Sequence, residues 1–179
     1  MRARRSIAKV SLGTGLALAA LGFGLRAYMN RAAQDRLLPG ERAEIAALRS
    51  PLPKPSFLAC PPGYCGSREA AASPLFAVPR ARLHEVWRQT IAALPRVVAV
   101  AEDARHWRSV YVAHTALFGF PDVVTVEFLA PRPGCSSIAL FGRSRYGRSD
   151  FGMNRRRIEH WLGLLQARVP PVSDRSCGE

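Results

Sequence analysis

The chain has 179 residues, enough for one domain with a hydrophobic core and short appendages. Its composition, with 48% hydrophobic and 22% charged residues, is typical of a globular protein. The formal net charge of +13 is almost entirely arginine and is spread along the chain. This spread argues against a nucleic-acid-binding protein, because such proteins concentrate their charge on one element.

The N-terminus has the pattern of a membrane anchor. A short basic region precedes an uncharged run from Val10 to Leu25, and neighbouring residues extend it toward the ~20 that span a bilayer. Arg26 and Tyr28 make a poor cleavage site, which favours an uncleaved signal anchor over a cleaved signal peptide. We therefore predict a single-pass helix over residues 1–29 in the inner membrane, with the rest of the chain on the periplasmic or extracytoplasmic side. A buried core helix is the alternative, and the charged flanks disfavour it.

Four cysteines are an even number in a chain predicted to face an oxidising compartment, which is typical of disulfide pairing. Cys60 and Cys65 are the easiest pair to close, because Pro-Gly between them favours a tight turn. Cys135 and Cys177 would then pair or stay free. Zinc is disfavoured, since only one pair has a short spacing.

Residues 30–74 are predicted to be an extracytoplasmic tether. The part from 51 to 74 holds most of the early prolines and few large apolar residues. Proline fixes φ and removes a hydrogen-bond donor, so this stretch should be a loop.

A domain is predicted over residues 75–169, with 170–179 as a tail. A short strand over LFAV precedes an amphipathic helix over RARLHEVWRQTIAAL. Four stretches rich in β-branched and aromatic residues follow, RVVAVA, WRSVYVAHT, DVVTVEFLA and SSIALFGRS, and NRRRIEHWLGLLQARV is a second amphipathic helix. The short connections require antiparallel pairing. The predicted fold is an α+β two-layer sandwich, a four- to five-stranded antiparallel sheet covered by two helices.

The stretch SRYGRSDFGMNRRRIEHW joins the last predicted strand to the last helix. In a structural interpretation, Gly147 and Gly152 permit the sharp corner, Ser149 or Asp150 satisfies free N–H groups at the turn, and Asn154 caps the helix. Asp150 would pair with an arginine of the preceding strand and lock the corner.

In a functional interpretation, the same corner binds an anion, since guanidinium groups and a helix N-terminus together hold a phosphate or carboxylate. An anionic lipid headgroup is the nearest such ligand for a membrane-tethered protein. The candidate residues are Arg143, Arg145, Ser149, Asp150, Asn154, Arg155 and Arg157.

No residue is nominated as catalytic. The sequence lacks Gly-x-Ser-x-Gly, and its four histidines have no ligand spacing. Disulfide use of Cys65 outweighs its use as a nucleophile. No metal or cofactor is expected.

The closing stretch resembles the motif of the DUF1499 family, and the resemblance spans about residues 60–168. GYCGS around Cys65 and FGFPDVVTVEF resemble two further parts of the family pattern. Two departures are Asp122, which stands alone where the family has paired acids, and Tyr64, which replaces an asparagine. The positions that match the closing motif are Ser144, Arg145, Gly147, Ser149, Asp150, Gly152, Asn154, Arg157, Ile158 and Glu159.

The resemblance implies a bacterial envelope or plastid protein and brings no established activity with it. We therefore predict a non-enzymatic binding module of the cell envelope for an anionic ligand, a lipid or a protein partner. The alternative is a hydrolase-like enzyme that uses the arginine and aspartate corner at 143–157.

Overall fold

The structure is a computed structural model, and it describes residues 20–25, 37–38, 40–117, 119–173 and 177. Eight strands form one mixed sheet with the order β2-β1-β7-β6-β5-β4, and β3 pairs with both β7 and β8. The strands are β1 (Ser56–Cys60), β2 (Ala71–Ala72), β3 (Leu75–Phe76), β4 (Val97–Asp103), β5 (Arg108–His114), β6 (Pro121–Arg132), β7 (Cys135–Ser144) and β8 (Pro171–Val172). Two α-helices pack on the sheet, α1 (Arg80–Ala92) and α2 (Met153–Arg168), and Ile45–Ala47 forms a short 3-10 helix. The described residues 20–25 are also helical.

The structure contains the two predicted helices and the strands predicted from 75 onward, so the α+β class is confirmed. The predicted four- to five-stranded antiparallel sheet is wrong, because the sheet has eight strands and β1 pairs with β2 in parallel. The added strands were missed for a physical reason. β1 is buried on both faces and therefore lacks alternation, whereas β2 and β8 have only two residues each.

One face of the sheet carries the main hydrophobic core beneath α1 and α2. Val124, Val126 and Phe128 alternate along β6 and turn their side chains to this face. Trp87 of α1 and Trp161 of α2 meet over it edge to face, with ring centroids 6.0 Å apart. Burial of these large side chains is the main source of stability for the two-layer unit.

The opposite face of the sheet is covered by the segment from residue 40 to 70. Ile45 and Leu52 of this segment pack with Leu58 of β1 and Phe141 of β7 in a second core. The predicted tether over residues 30–74 is thus corrected for its described part, which forms a layer of the folded domain. Prolines in this stretch shape a close-packed cover instead of a linker.

A buried polar cluster holds this cover to the sheet. The Glu127 carboxylate accepts hydrogen bonds from the Tyr64 hydroxyl at 2.6 Å and from Arg108 Nε at 2.8 Å, and Ile45 N donates to it at 3.3 Å. Burial and the bond to Glu127 raise the pKa of Tyr64, so its hydroxyl remains a proton donor. Glu127 therefore has partners from three parts of the chain.

Within the described ranges, no helix combines the length and the apolar character needed to cross a bilayer. This finding overturns the predicted single-pass anchor over residues 1–29 and the inner-membrane location that depends on it. Residues 20–25 of the predicted anchor are helical, and residues 1–19 and 26–29 lie outside the described part of the chain.

Both cysteine pairs form disulfides. Cys60 is bonded to Cys65, as expected from the Pro-Gly turn, with Cα atoms 6.4 Å apart. Cys135 and Cys177, for which the sequence left pairing open, form the second bond with Cα atoms 5.8 Å apart. The second bond joins the beginning of β7 to the C-terminal tail.

Candidate functional site

The site lies at the corner where β7 ends and α2 begins. Ser144 ends β7 opposite Asp122 of β6, so their side chains stand next to each other on the helix-covered face. The chain then turns through Gly147 and Gly152, with φ of 91° and 74°, in the left-handed region that favours glycine. Phe151 also has a positive φ, 49°, which is uncommon for a bulky residue.

Asn154 is the centre of the hydrogen-bond network at this corner. Its side chain is fully buried, and Nδ2 donates to Ser144 Oγ at 3.0 Å and to Asp150 Oδ2 at 2.9 Å. Its Oδ1 accepts from Arg157 Nη1 at 3.1 Å. Gly142 makes room for it, since a Cβ at that position would lie 2.8 Å from Asn154 Oδ1. The predicted role of Asn154 as the helix cap is corrected, because it lies within the first turn of α2.

Asp150 is the residue that satisfies the free N–H groups at the start of α2. Its carboxylate accepts from Gly152 N at 3.0 Å and from Asn154 N at 2.9 Å. Partial burial raises the pKa of Asp150, but these bonds and the one from the Asn154 side chain outweigh it, so the pKa lies below the ordinary 3.8. Asp150 is thus ionised at neutral pH.

The predicted pairing of Asp150 with an arginine is wrong for the described residues, because its partners are the amides of the corner. An arginine–aspartate contact does exist nearby, between Arg157 Nη2 and Asp122 Oδ2 at 2.7 Å. Burial raises the pKa of Asp122, and the opposing effects of the Arg157 charge and a Ser144 hydrogen bond only partly offset it. The lock on the corner is therefore made by Asp122, which comes from another strand.

The other candidate arginines do not converge on the corner. Arg145 forms an ion pair with Glu41 on the opposite face of the sheet. Arg143 donates weakly to Gly40 O at 3.4 Å. Arg155 lies over the ring of Phe57 at 4.6 Å and is 3.5 Å from Glu159, largely in solvent. The structure thus brings together Asp150, Asn154 and Arg157 of the predicted set, and it does not assemble a cluster of guanidinium groups.

Ser149 and the two glycines belong to the turn itself. Ser149 Oγ accepts from Phe151 N at 3.2 Å, which closes a local turn in the chain. The tight path through Gly147, Ser149 and Gly152 presents Tyr146 and Phe151 at the surface.

An open pocket of about 450 Å³ lies beside this corner. One wall is the connection between β5 and β6, and the other is the turn before α2. Its polar floor is formed by Asp122, Ser144 and Asp150, and its remaining surface is mostly apolar. We call it the corner pocket, and its lining residues are Thr115, Ala116, Leu117, Phe120, Asp122, Ser144, Tyr146, Gly147, Ser149, Asp150, Phe151 and Met153.

Sequence reasoning missed most of the apolar lining. Leu117 and Phe120 lie in a turn-rich connection, where single apolar residues predict no structure. In the sequence, Asp122 stood out only because it is a single acid where the family has two. In the structure it is 2% exposed and lines the pocket. The available signal was the aspartate at the start of an apolar strand, since a buried acid requires a partner.

This architecture defines an α+β protein with a two-sided sheet and a strand-to-helix corner that opens into a pocket. The model of the DUF1499 family, described as a protein of unknown function, matches residues 55–165, more than half of the chain. The chain belongs to the DUF1499 family, as its closing motif suggested.

No curated protein matches the chain. Among solved structures, TTHA0849 from Thermus thermophilus is similar, with 13% identity and a TM-score of 0.29. The similarity covers 63% of this chain and 89% of that one. At this TM-score it carries no argument about fold or function.

Proposed function

We propose that this chain is a binding module whose corner pocket takes a small, largely apolar molecule. The observation that carries the proposal is the set of large apolar side chains exposed around the pocket. Leu117 is 71% exposed, Phe120 37%, Tyr146 45% and Phe151 86%. A small protein seldom gathers such side chains at one concave place unless something covers them.

The backbone at Phe151 supports a role outside the core. A phenylalanine with a φ of 49° costs free energy relative to an extended or helical residue, and its side chain is too exposed to gain this back by packing. Covering one such ring contributes about 1.5–3 kcal/mol. A ligand seated against Phe151 would supply the burial that the fold itself does not.

Binding is favoured over catalysis by the way the polar floor is engaged. Asp150 serves the backbone at the start of α2, and Asp122 is paired with Arg157. Among the described residues that line the pocket, none is a histidine or cysteine that would form a nucleophile–base pair with Ser144. The hydrolase alternative therefore has no convergent base in this pocket to support it.

The test uses the full chain and N-phenylnaphthylamine, a neutral dye that fluoresces in apolar surroundings. We expect saturable binding that weakens at least tenfold in the double variant L117S/F151N, since two apolar contacts are lost. Asparagine tolerates the left-handed conformation, so the turn is retained. The matched control is V98S, because Val98 is 39% exposed on β4, outside the pocket.

Unchanged binding in V98S with loss in L117S/F151N supports the proposal. Absence of saturable binding by the wild-type chain, or equal binding by L117S/F151N, overturns it. If the dye fails to bind and the wild-type chain instead self-associates through the same residues, the surface is a protein interface and the small-molecule proposal is wrong.

A further inference from the structure

We infer that the corner pocket selects amphiphiles whose polar end is an ammonium group over those whose polar end is a carboxylate. This inference rests on the proposed function and adds the sign of the ligand charge. It runs against the overall charge of the chain, which is +13 and would attract anions in general.

The first support is the identity of the charged groups that line the pocket. They are Asp122 and Asp150, and no lysine or arginine is among the described lining residues. Arg148 belongs to the same turn but does not line the pocket. The charged side chains that line the cavity are thus both carboxylates.

The second support is the condition of Asp122. It is 2% exposed, and its Oδ2 has no aligned hydrogen-bond donor among the described residues. Arg157 Nη2 lies 2.7 Å from this oxygen as an ionic partner, yet Arg157 does not line the pocket. Asp122 therefore balances the charge of Arg157, which is then not offered to an anionic ligand, and the net negative charge of the lining is that of Asp150.

The third support is the ionisation of Asp150. Its pKa lies below the ordinary value because amide donors outweigh the effect of partial burial. Among the described residues, Asp150 Oδ1 accepts from Gly152 N alone, at 3.0 Å, which leaves one of its two lone-pair directions for a further donor. An ammonium group would thus meet the remaining acceptor direction of Asp150 at the pocket floor, and a carboxylate ligand would be repelled by the charge of Asp150.

The test is a competition experiment in which decylammonium, decanoate and decanol each displace N-phenylnaphthylamine from the wild-type protein at neutral pH. The three ligands have the same ten-carbon tail and differ in their polar end. We expect decylammonium to displace the dye at a concentration at least tenfold lower than decanoate, with decanol between them. A higher salt concentration should reduce the difference between the displacing concentrations of decylammonium and decanoate, because salt screens charge interactions.

Two variants test whether a preference for decylammonium over decanoate arises in the corner pocket. D150N should reduce the preference for decylammonium, and circular dichroism checks that the variant folds. A116K places a cation on an exposed turn residue of the pocket wall, away from the hydrogen-bond network, and should shift the preference toward decanoate. A116K keeps the test decisive if D150N does not fold.

The outcomes separate the two proposals. Dye binding with equal displacement by the three competitors, or with decanoate preferred, overturns this inference and leaves the proposed function standing. A preference for decylammonium that A116K does not change places the selection elsewhere and also overturns the inference. Absence of saturable dye binding is the failure of the proposed function itself.

Discussion

Arg145 and Glu41 form a two-bonded ion pair between residues 104 positions apart in sequence, with Nε–Oε1 and Nη2–Oε2 both at 2.6 Å. The two side chains are only 3% and 4% exposed. Arg145 immediately follows β7, and Glu41 lies at the start of the segment that covers the second face. The pair therefore fixes that segment to the sheet.

Removal of Glu41 should be strongly destabilising. E41Q leaves the Arg145 guanidinium buried without a counter-charge, which costs about 3–5 kcal/mol in the free energy of unfolding. The matched control is E44Q, since Glu44 is largely exposed and 3.9 Å from Arg108, where a loss of about 0–1 kcal/mol is expected. Chemical denaturation measures both, and equal losses would contradict the importance of the Arg145 pair.

Gly142 should not tolerate a methyl group. In G142A the added Cβ would lie 2.8 Å from Asn154 Oδ1 and 3.1 Å from Ile158 Cδ1, so α2 must shift at a cost of about 1–3 kcal/mol. The control is G163A within α2, where nothing lies within 4 Å and alanine should stabilise the helix by about 0.5–1 kcal/mol. Thermal melting should therefore move in opposite directions for the two variants.

Asp150 should make the corner sensitive to acid. Its folded-state pKa is below the ordinary 3.8, so its contribution is present above pH 3.8 and is lost as the pH falls through the folded-state pKa. At neutral pH we expect D150N to lower the free energy of unfolding by about 1 kcal/mol, because a neutral amide accepts these hydrogen bonds more weakly than a carboxylate does. The difference between wild type and D150N should shrink below pH 3.8, and a constant difference would contradict this role.

The two disulfides should differ in their effect on stability. Under the loop-closure model, loss of the Cys135–Cys177 bond, with a sequence separation of 42, costs about 4 kcal/mol, and loss of the Cys60–Cys65 bond, with a separation of 5, costs about 2 kcal/mol. Denaturation of C135S/C177S and C60S/C65S compares them directly. A larger loss for the short loop would show that the Cys60–Cys65 turn contributes through its contacts and not through chain entropy.

The helices and the strands after residue 75 were predictable because each has its own period of apolar residues. Along β6, for example, Val124, Val126 and Phe128 alternate with residues of the other face. β1 was not predictable in this way, because Phe57 to Cys60 is buried throughout and proline precedes and follows it.

The partners within the corner were hidden from sequence for another reason. Local spacing suggested that Ser149 or Asp150 meets free N–H groups of the turn, and Asp150 does accept from backbone amides two and four residues ahead. It also suggested that Asp150 pairs with a neighbouring arginine, and that pairing is not found among the described residues. The arginines pair with Asp122 and Glu41, which approach only when the sheet and its second cover have formed. Such long-range pairs have no periodic pattern in the sequence. The exposed apolar residues of the corner pocket also have none.

The covered second face sets a lower limit on the piece of this chain that folds on its own. The match to the family begins at residue 55. A chain shortened to that point would lose Ile45 and Leu52, which pack against Phe141. It would also lose Glu41 and leave the buried Arg145 guanidinium without its counter-charge. The minimal autonomous unit therefore starts near residue 40, upstream of the boundary that family similarity alone would suggest.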